Sequence, residues 1–219
     1  MVAMATVATH RVLSGYHPPA EGAGSFMGPY ARRRPGAQGP TVRANGRAHE
    51  DQPERNGMRF FYDCEFIEDG TTIDLVSIGV VGEDGREFYA VSTEFDPGRA
   101  GAWVRANVLP KLPSPADKAW RSRAAIRSDL LAFLTGAPGD VELWAWIAAY
   151  DHVALCQLWG AMPALPRALP RFTRELRQRW EDAGRPPLPP PSSDAHDALA
   201  DARLNFRRWE AIESAVAAR

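Results

Sequence analysis

The run RFFYDCEFIEDGTTIDLVSIGVVGEDGREFYAVS, residues 59–92, decides the fold of this chain. It holds three segments rich in aromatic and β-branched side chains, which suit a pleated, half-buried surface. Arg59–Phe66, Asp74–Val81 and Arg86–Ser92 are the predicted strands. Between the last two, Glu83-Asp84-Gly85 is a tight turn, since glycine reaches the positive φ that hairpin turns demand. Successive strands joined by short turns predict an antiparallel meander.

Downstream the pattern changes. Helical segments are predicted near Gly101–Val108 and over Ala119–Leu134. Val141–Ala148 is an apolar run of strand length, and a helix follows over Asp151–Trp159. Thr173–Asp182 is helical and is stopped by the Pro-rich loop Arg185–Pro191. Ser193 or Asp194 is the expected cap of a long last helix, running to about Ala215. Three antiparallel strands followed by strand–helix units predict an α/β fold, a mixed sheet with helices on both faces.

Upstream, residues 1–57 are rich in Gly, Pro, Ala and Arg, including Arg32-Arg33-Arg34, and lack a sustained hydrophobic period. Such a stretch cannot bury enough apolar surface to offset its ordering entropy, so a disordered tail is expected. Three alternatives stand beside that: an arginine-rich arm that binds RNA, an organelle transit peptide, or a tail never made because synthesis begins at Met58. The folded domain is expected over 58–219.

Composition bounds the function. The chain has 219 residues and a formal net charge of −1, enough for one substantial core and too neutral for wholesale coating of nucleic acid. Its two cysteines, Cys64 and Cys156, lack metal-ligand spacing, which fits a reduced, cytoplasmic setting. No apolar run approaches the roughly 20 residues of a membrane span, and no secretory signal is evident.

The chemistry lies in three places. Asp63 and Glu65 are two apart on the first strand and therefore share a face. Two carboxylates so close resist ionising together unless a cation sits between them; a solvated strand edge is the plain alternative. Asp151 follows the buried strand, at the end where open α/β sheets place their ligands, or else it is an ordinary helix N-cap. His196 and Asp201 lie at the start of the last helix. Five residues separate them, about 140° around an ideal helix, so they flank one site only if His196 sits on the loop edge. Otherwise both are surface residues. Together these positions supply four carboxylates and one imidazole, the inventory of two-metal phosphodiester hydrolysis.

With the motifs FYDCEF (residues 61–66), AYD (149–151) and HDALADA (196–202) in this order, the chain resembles the DEDDh 3′-to-5′ exonuclease superfamily, which has a ribonuclease H-like fold. Within it, residues 61–85, 89–97, 143–160 and 170–182 are most similar to actinobacterial polyadenylate-specific exoribonucleases. The resemblance covers 58 to about 212. It implies two Mg²⁺ ions, with Mn²⁺ as a substitute, held by Asp63, Glu65, Asp151 and Asp201. It implies His196 as the base that activates water. It further implies RNA 3′ ends, polyadenylated ones in particular, as substrate, AMP as product, and a homodimer. Alternatives are an exonuclease that trims DNA or oligonucleotides, a silent RNA-binding module, and a zinc hydrolase using His152.

For substrate contacts, Phe66 is placed to stack on a terminal base, or else is core. Arg123 with Arg127, or Arg171, Arg174 and Arg177, could meet phosphates, or else face solvent. Trp144 and Trp146 alternate onto one strand face and are expected in the core. Trp103, Trp120, Trp159, Trp180 and Trp209 are expected to pack.

Overall fold

The computed structural model describes residues 57–191 and 193–219; the expected tail, Gly57 apart, lies outside them. Its first strand, β1 (Gly57–Glu68), is flanked by β2 (Ile73–Gly82) and β5 (Asp140–Ala145). The sheet has six strands in the order β4-β3-β2-β1-β5-β6, with β3 at Glu87–Ser92, β4 at Trp120–Arg121 and β6 at Arg174–Glu175. β1, β2 and β3 form the predicted antiparallel meander, and β5 joins β1 in parallel. This is the mixed α/β sheet read from the sequence, consistent with a ribonuclease H-like fold.

Alternation along β1 divides the core into two layers. Phe60, Tyr62 and Cys64 are buried in one cluster with Ile126 and Leu130 of α2 (Arg123–Thr135) and Ala154 and Leu155 of α3 (Ala148–Gln157). Phe61 points the other way and meets Phe206 and Trp209 of α5 (Ala198–Ala217), at ring separations of 5.2 and 5.5 Å. Helices therefore cover both faces, as expected. Period two puts Asp63 and Glu65 on the Phe61 side, under α5.

Two local features bring α5 and the strand ends together. A Cβ at Gly79 of β2 would lie 2.3 Å from the Ala198 carbonyl oxygen, so only glycine admits the first turn of α5 this close. The β1–β2 register also slips between Glu65 and Phe66, a bulge where β1 carries its carboxylates. Bulges re-aim side chains in this way beside active sites.

Several boundaries differ from expectation. The segment 146–148 is not strand: β5 stops at Ala145, and α3 begins at Ala148. Ala119–Leu134 is split, because Trp120–Arg121 extends the sheet beside β3 and Ser122 then caps α2 by accepting from the Ala125 N–H. Arg174–Glu175 likewise pairs with Trp144–Ala145 before the short α4 (Leu176–Asp182) starts. Free backbone groups at sheet edges outweighed helix propensity in both places. The last helix is capped by Asp197, not Ser193 or Asp194; its side chain accepts from the Ala200 N–H. Among the described residues no helix is long and apolar enough to cross a membrane. Both cysteines are free.

Candidate active site

β5 runs beside β1 only as far as Phe61, opposite Trp144. Past that point the β5 side of β1 is open, and its backbone groups need other partners. Asp151 supplies one: its carboxylate accepts from the Cys64 N–H at 2.8 Å. The residue is thus no N-cap. It sits in the first turn of α3, 5 % exposed, with its side chain turned back onto the strand between Asp63 and Glu65. The turn that permits this is strained, for Ile147 adopts φ 60, ψ 50, a left-handed conformation rare for a β-branched residue. Glu175 holds it there, accepting from the N–H groups of Ile147 at 2.9 Å and Ala148 at 2.8 Å.

His196 arrives by a comparable device. It precedes α5, with φ 70, and its backbone N–H donates to the Asp201 carboxylate at 2.6 Å. The loop-edge condition is therefore met, and the two residues share one site despite their angular separation on a helix. The imidazole lies edge-on to Trp103 of α1 (Ala102–Asn107), ring centroids 4.7 Å apart. Glu65, His196 and Asp201 each present a ligand atom, all within 4.8 Å of one another.

All five predicted residues line one cavity of about 600 Å³, and Phe66 lies on its wall. Phe66 stacks on Tyr150 at 6.0 Å, almost parallel, and Tyr150 keeps half its surface exposed. Arg174 is elsewhere. It pairs with Glu142 at 3.3 Å and lies over the Trp144 and Phe172 rings, outside the cavity lining. Three more of the arginines are also engaged, Arg123 with Asp74, Arg171 with the Met162 carbonyl and Arg177 with Glu181; Arg127 is likewise outside the cavity lining.

The electrostatics are dominated by burial. It raises Asp63 well above the usual carboxylate range, helped by the charges of Asp151, Glu65 and Asp201. It lifts Glu65 to about 8, with Asp201 and Asp151 adding to the effect. Asp151 rises to about 7 through burial, partly offset by the Cys64 N–H. Asp201 is raised by burial too, against the pull of the His196 N–H. Four acids gathered in one buried wall leave a net deficit of positive charge there once they ionise.

Residues 58–213 match the family model described as the 3′-5′ exoribonuclease Rv2179c-like domain. The chain belongs to the Rv2179c-like 3′-5′ exoribonuclease family. Over 158 residues it is 67 % identical to the 3′-5′ exoribonuclease Rv2179c of Mycobacterium tuberculosis strain H37Rv, covering 72 % of this chain and 94 % of that protein. The same values hold for the 3′-5′ exoribonuclease MT2234.1 of strain CDC 1551.

Five residues that line or brace this cavity were not singled out by the sequence. Trp103, expected to pack, is 52 % exposed and flanks His196. The α1 segment offers too little periodicity to separate the two roles. Tyr150, Asn205 and Arg208 line the cavity and Glu175 braces it from behind. Asn205 and Arg208 follow Asp201 at helical spacing, four and seven residues on, and that spacing was the available signal. Trp120, Trp144, Trp146, Trp159, Trp180 and Trp209 do join apolar clusters. His152 of the zinc alternative faces away, its ring bonded to Thr173 and to the Arg171 carbonyl.

Proposed function

We propose that this exoribonuclease removes nucleotides from RNA 3′ ends by divalent-metal-dependent hydrolysis, prefers polyadenylate, and releases AMP. One observation carries the chemistry: Asp63, Glu65, Asp151, Asp201 and His196, spread over 139 positions of the chain, line one cavity. The donor set fits hard cations, being carboxylate oxygen plus one imidazole, with like charges that need a counter-ion. Asp63, Glu65, Asp151 and Asp201 would hold Mg²⁺, with Mn²⁺ as a substitute. A pair of such ions supplies charge to the attacking and departing oxygens of an in-line displacement.

The chain's own residues do the rest. An unprotonated ring nitrogen of His196 takes the proton from the attacking water. Trp103 and the Asp201 bond to its backbone fix where that nitrogen lies. Phe66 and Tyr150 offer aromatic surface to the terminal base; such stacking is worth about 1–3 kcal/mol per base and tolerates any base. The adenylate preference rests on the sequence resemblance. So does a homodimer, in which basic residues of one subunit serve the other's site; a cytoplasmic location rests on the two unpaired cysteines.

Incubation with 5′-labelled and 3′-labelled homopolymers of RNA and DNA, with and without chelator, tests the proposal. Stepwise shortening of 5′-labelled polyadenylate, with AMP as product and complete loss in chelator, is expected. Internal fragments, or activity indifferent to chelator, would overturn it.

The raised carboxyl groups also predict a pH dependence. Their folded-state values lie above the unfolded ones, so the stability these groups contribute is fully present below about pH 4 and is lost as the pH climbs through 7 to 8. In chelator the melting temperature is expected to fall between pH 5 and pH 8. Added Mg²⁺ should restore it most at the alkaline end, because it binds the ionised ligands of the native state alone. A chelated melting temperature that rises over this interval would contradict the burial of these acids.

A further inference from the structure

Arg208 is the single lysine or arginine among the described residues that line the cavity. It stands on α5 two turns beyond Asp201. A chain of contacts holds it in place. Asn205, 1 % exposed, donates to the Tyr62 carbonyl of β1 at 3.1 Å, and its side-chain oxygen accepts from Arg208 Nη1 at 3.0 Å. The guanidinium carbon sits 4.4 Å from the centre of the Trp146 ring.

This arrangement leaves the fork unspent. Among the described residues the Asn205 bond is its one hydrogen bond, and Asp201 and Asp63 attract it without coming within ion-pair distance. Nε is buried and has no hydrogen-bond partner among the described residues. A buried donor without a partner is costly, and native structures keep one where a ligand or a function calls for it. Arginines elsewhere on the surface are instead spent on carboxylates, as in Arg59–Glu83, Arg179–Glu213 and Arg203–Glu87. The cavity wall is otherwise acidic, and where divalent ions balance the carboxylates a fixed cation beside them adds attraction for an anionic substrate. A planar guanidinium, stacked on an aromatic face and braced by an amide, is pre-organised to grip phosphate oxygens.

We propose that Arg208 is a substrate-binding residue that holds the phosphate of the terminal nucleotide, with Trp146 and Asn205 as its positioning residues. This rests on the proposed function and deepens it: recognition of the scissile group is shared between the acidic wall and one arginine on α5. The base and ribose make no demand on Arg208.

Binding of 5′-AMP and of adenosine, measured by calorimetry in Mg²⁺, isolates the phosphate. The full chain is expected to bind 5′-AMP more tightly than adenosine. Arg208→Gln should lose at least tenfold in 5′-AMP affinity while adenosine affinity stays within twofold. Arg208→Lys, which keeps the charge but not the fork, should retain part of the difference, and it carries the test where the Gln variant fails to fold. Unchanged 5′-AMP affinity in either variant overturns the assignment. So does an equal loss for 5′-AMP and adenosine, which would make Arg208 a structural brace. Failure of the proposed function is seen separately, as intact chain that leaves labelled RNA undegraded.

Discussion

Asp63→Asn is expected to lower RNA turnover by about a thousandfold or more while raising the stability of the chelated protein. The two effects share one cause. Asp63 lies in the cavity with Asp151, Glu65 and Asp201, all of which push its carboxyl upward in pKa. Those neighbours make the anion costly without a cation and valuable with one. Asparagine keeps the shape and removes the charge. Charge stabilisation by a bound divalent ion is worth several kcal/mol in a transition state, and losing about 4 kcal/mol corresponds to about a thousandfold in rate. Relief of the like-charge repulsion acts in the opposite direction on folding. In a domain of this size each kcal/mol moves the melting temperature by about 2–4 °C, so the shift is readable by calorimetry near pH 8 in chelator. Near-normal turnover by the variant would discard the mechanism. A lower melting temperature in chelator would mean that the carboxylate has a partner it is not credited with.

His196→Asn isolates the base. Position 196 has φ 70, where asparagine is among the few tolerant side chains, so the loop and its N–H bond to Asp201 survive the change. The proton acceptor does not. A loss of about 10²–10⁴ in kcat is expected, with little change in KM. His196→Ala should lose as much activity and also some stability, since alanine pays the full left-handed penalty of about 1–2 kcal/mol. An Asn variant within threefold of the parent would move the proton-accepting role away from this imidazole.

How much of this was legible in the chain depends on distance along it. The β1–β2–β3 meander was readable because its partners are neighbours in sequence and their turns are short. Asp63 and Glu65 could be put on one face from alternation alone. The edge strands β4 and β6 could not be read, for two residues carry no period, and what makes them strands is an open ladder on β3 and β5. Helix caps show the same limit. Ser193, Asp194 and Asp197 are all good caps by residue type. The close approach of Ala198 to Gly79 fixes where α5 begins, and with it which aspartate does the capping.

Residue types and their order along the chain determined which groups this exoribonuclease could use: four acids, one histidine, and the motif sequence that carries the family likeness. Only the tertiary structure decided that they meet. Asp151 reaches the site because β5 ends early and leaves the Cys64 N–H seeking an acceptor. His196 reaches it through a left-handed turn braced by Asp201, and Arg208 through an amide anchored on β1. The first and the last depend on β1 backbone groups that take a partner far along the chain, the Cys64 N–H and the Tyr62 carbonyl. Local patterns carry no record of that, because hydrogen-bond demand is settled only when the whole sheet is assembled.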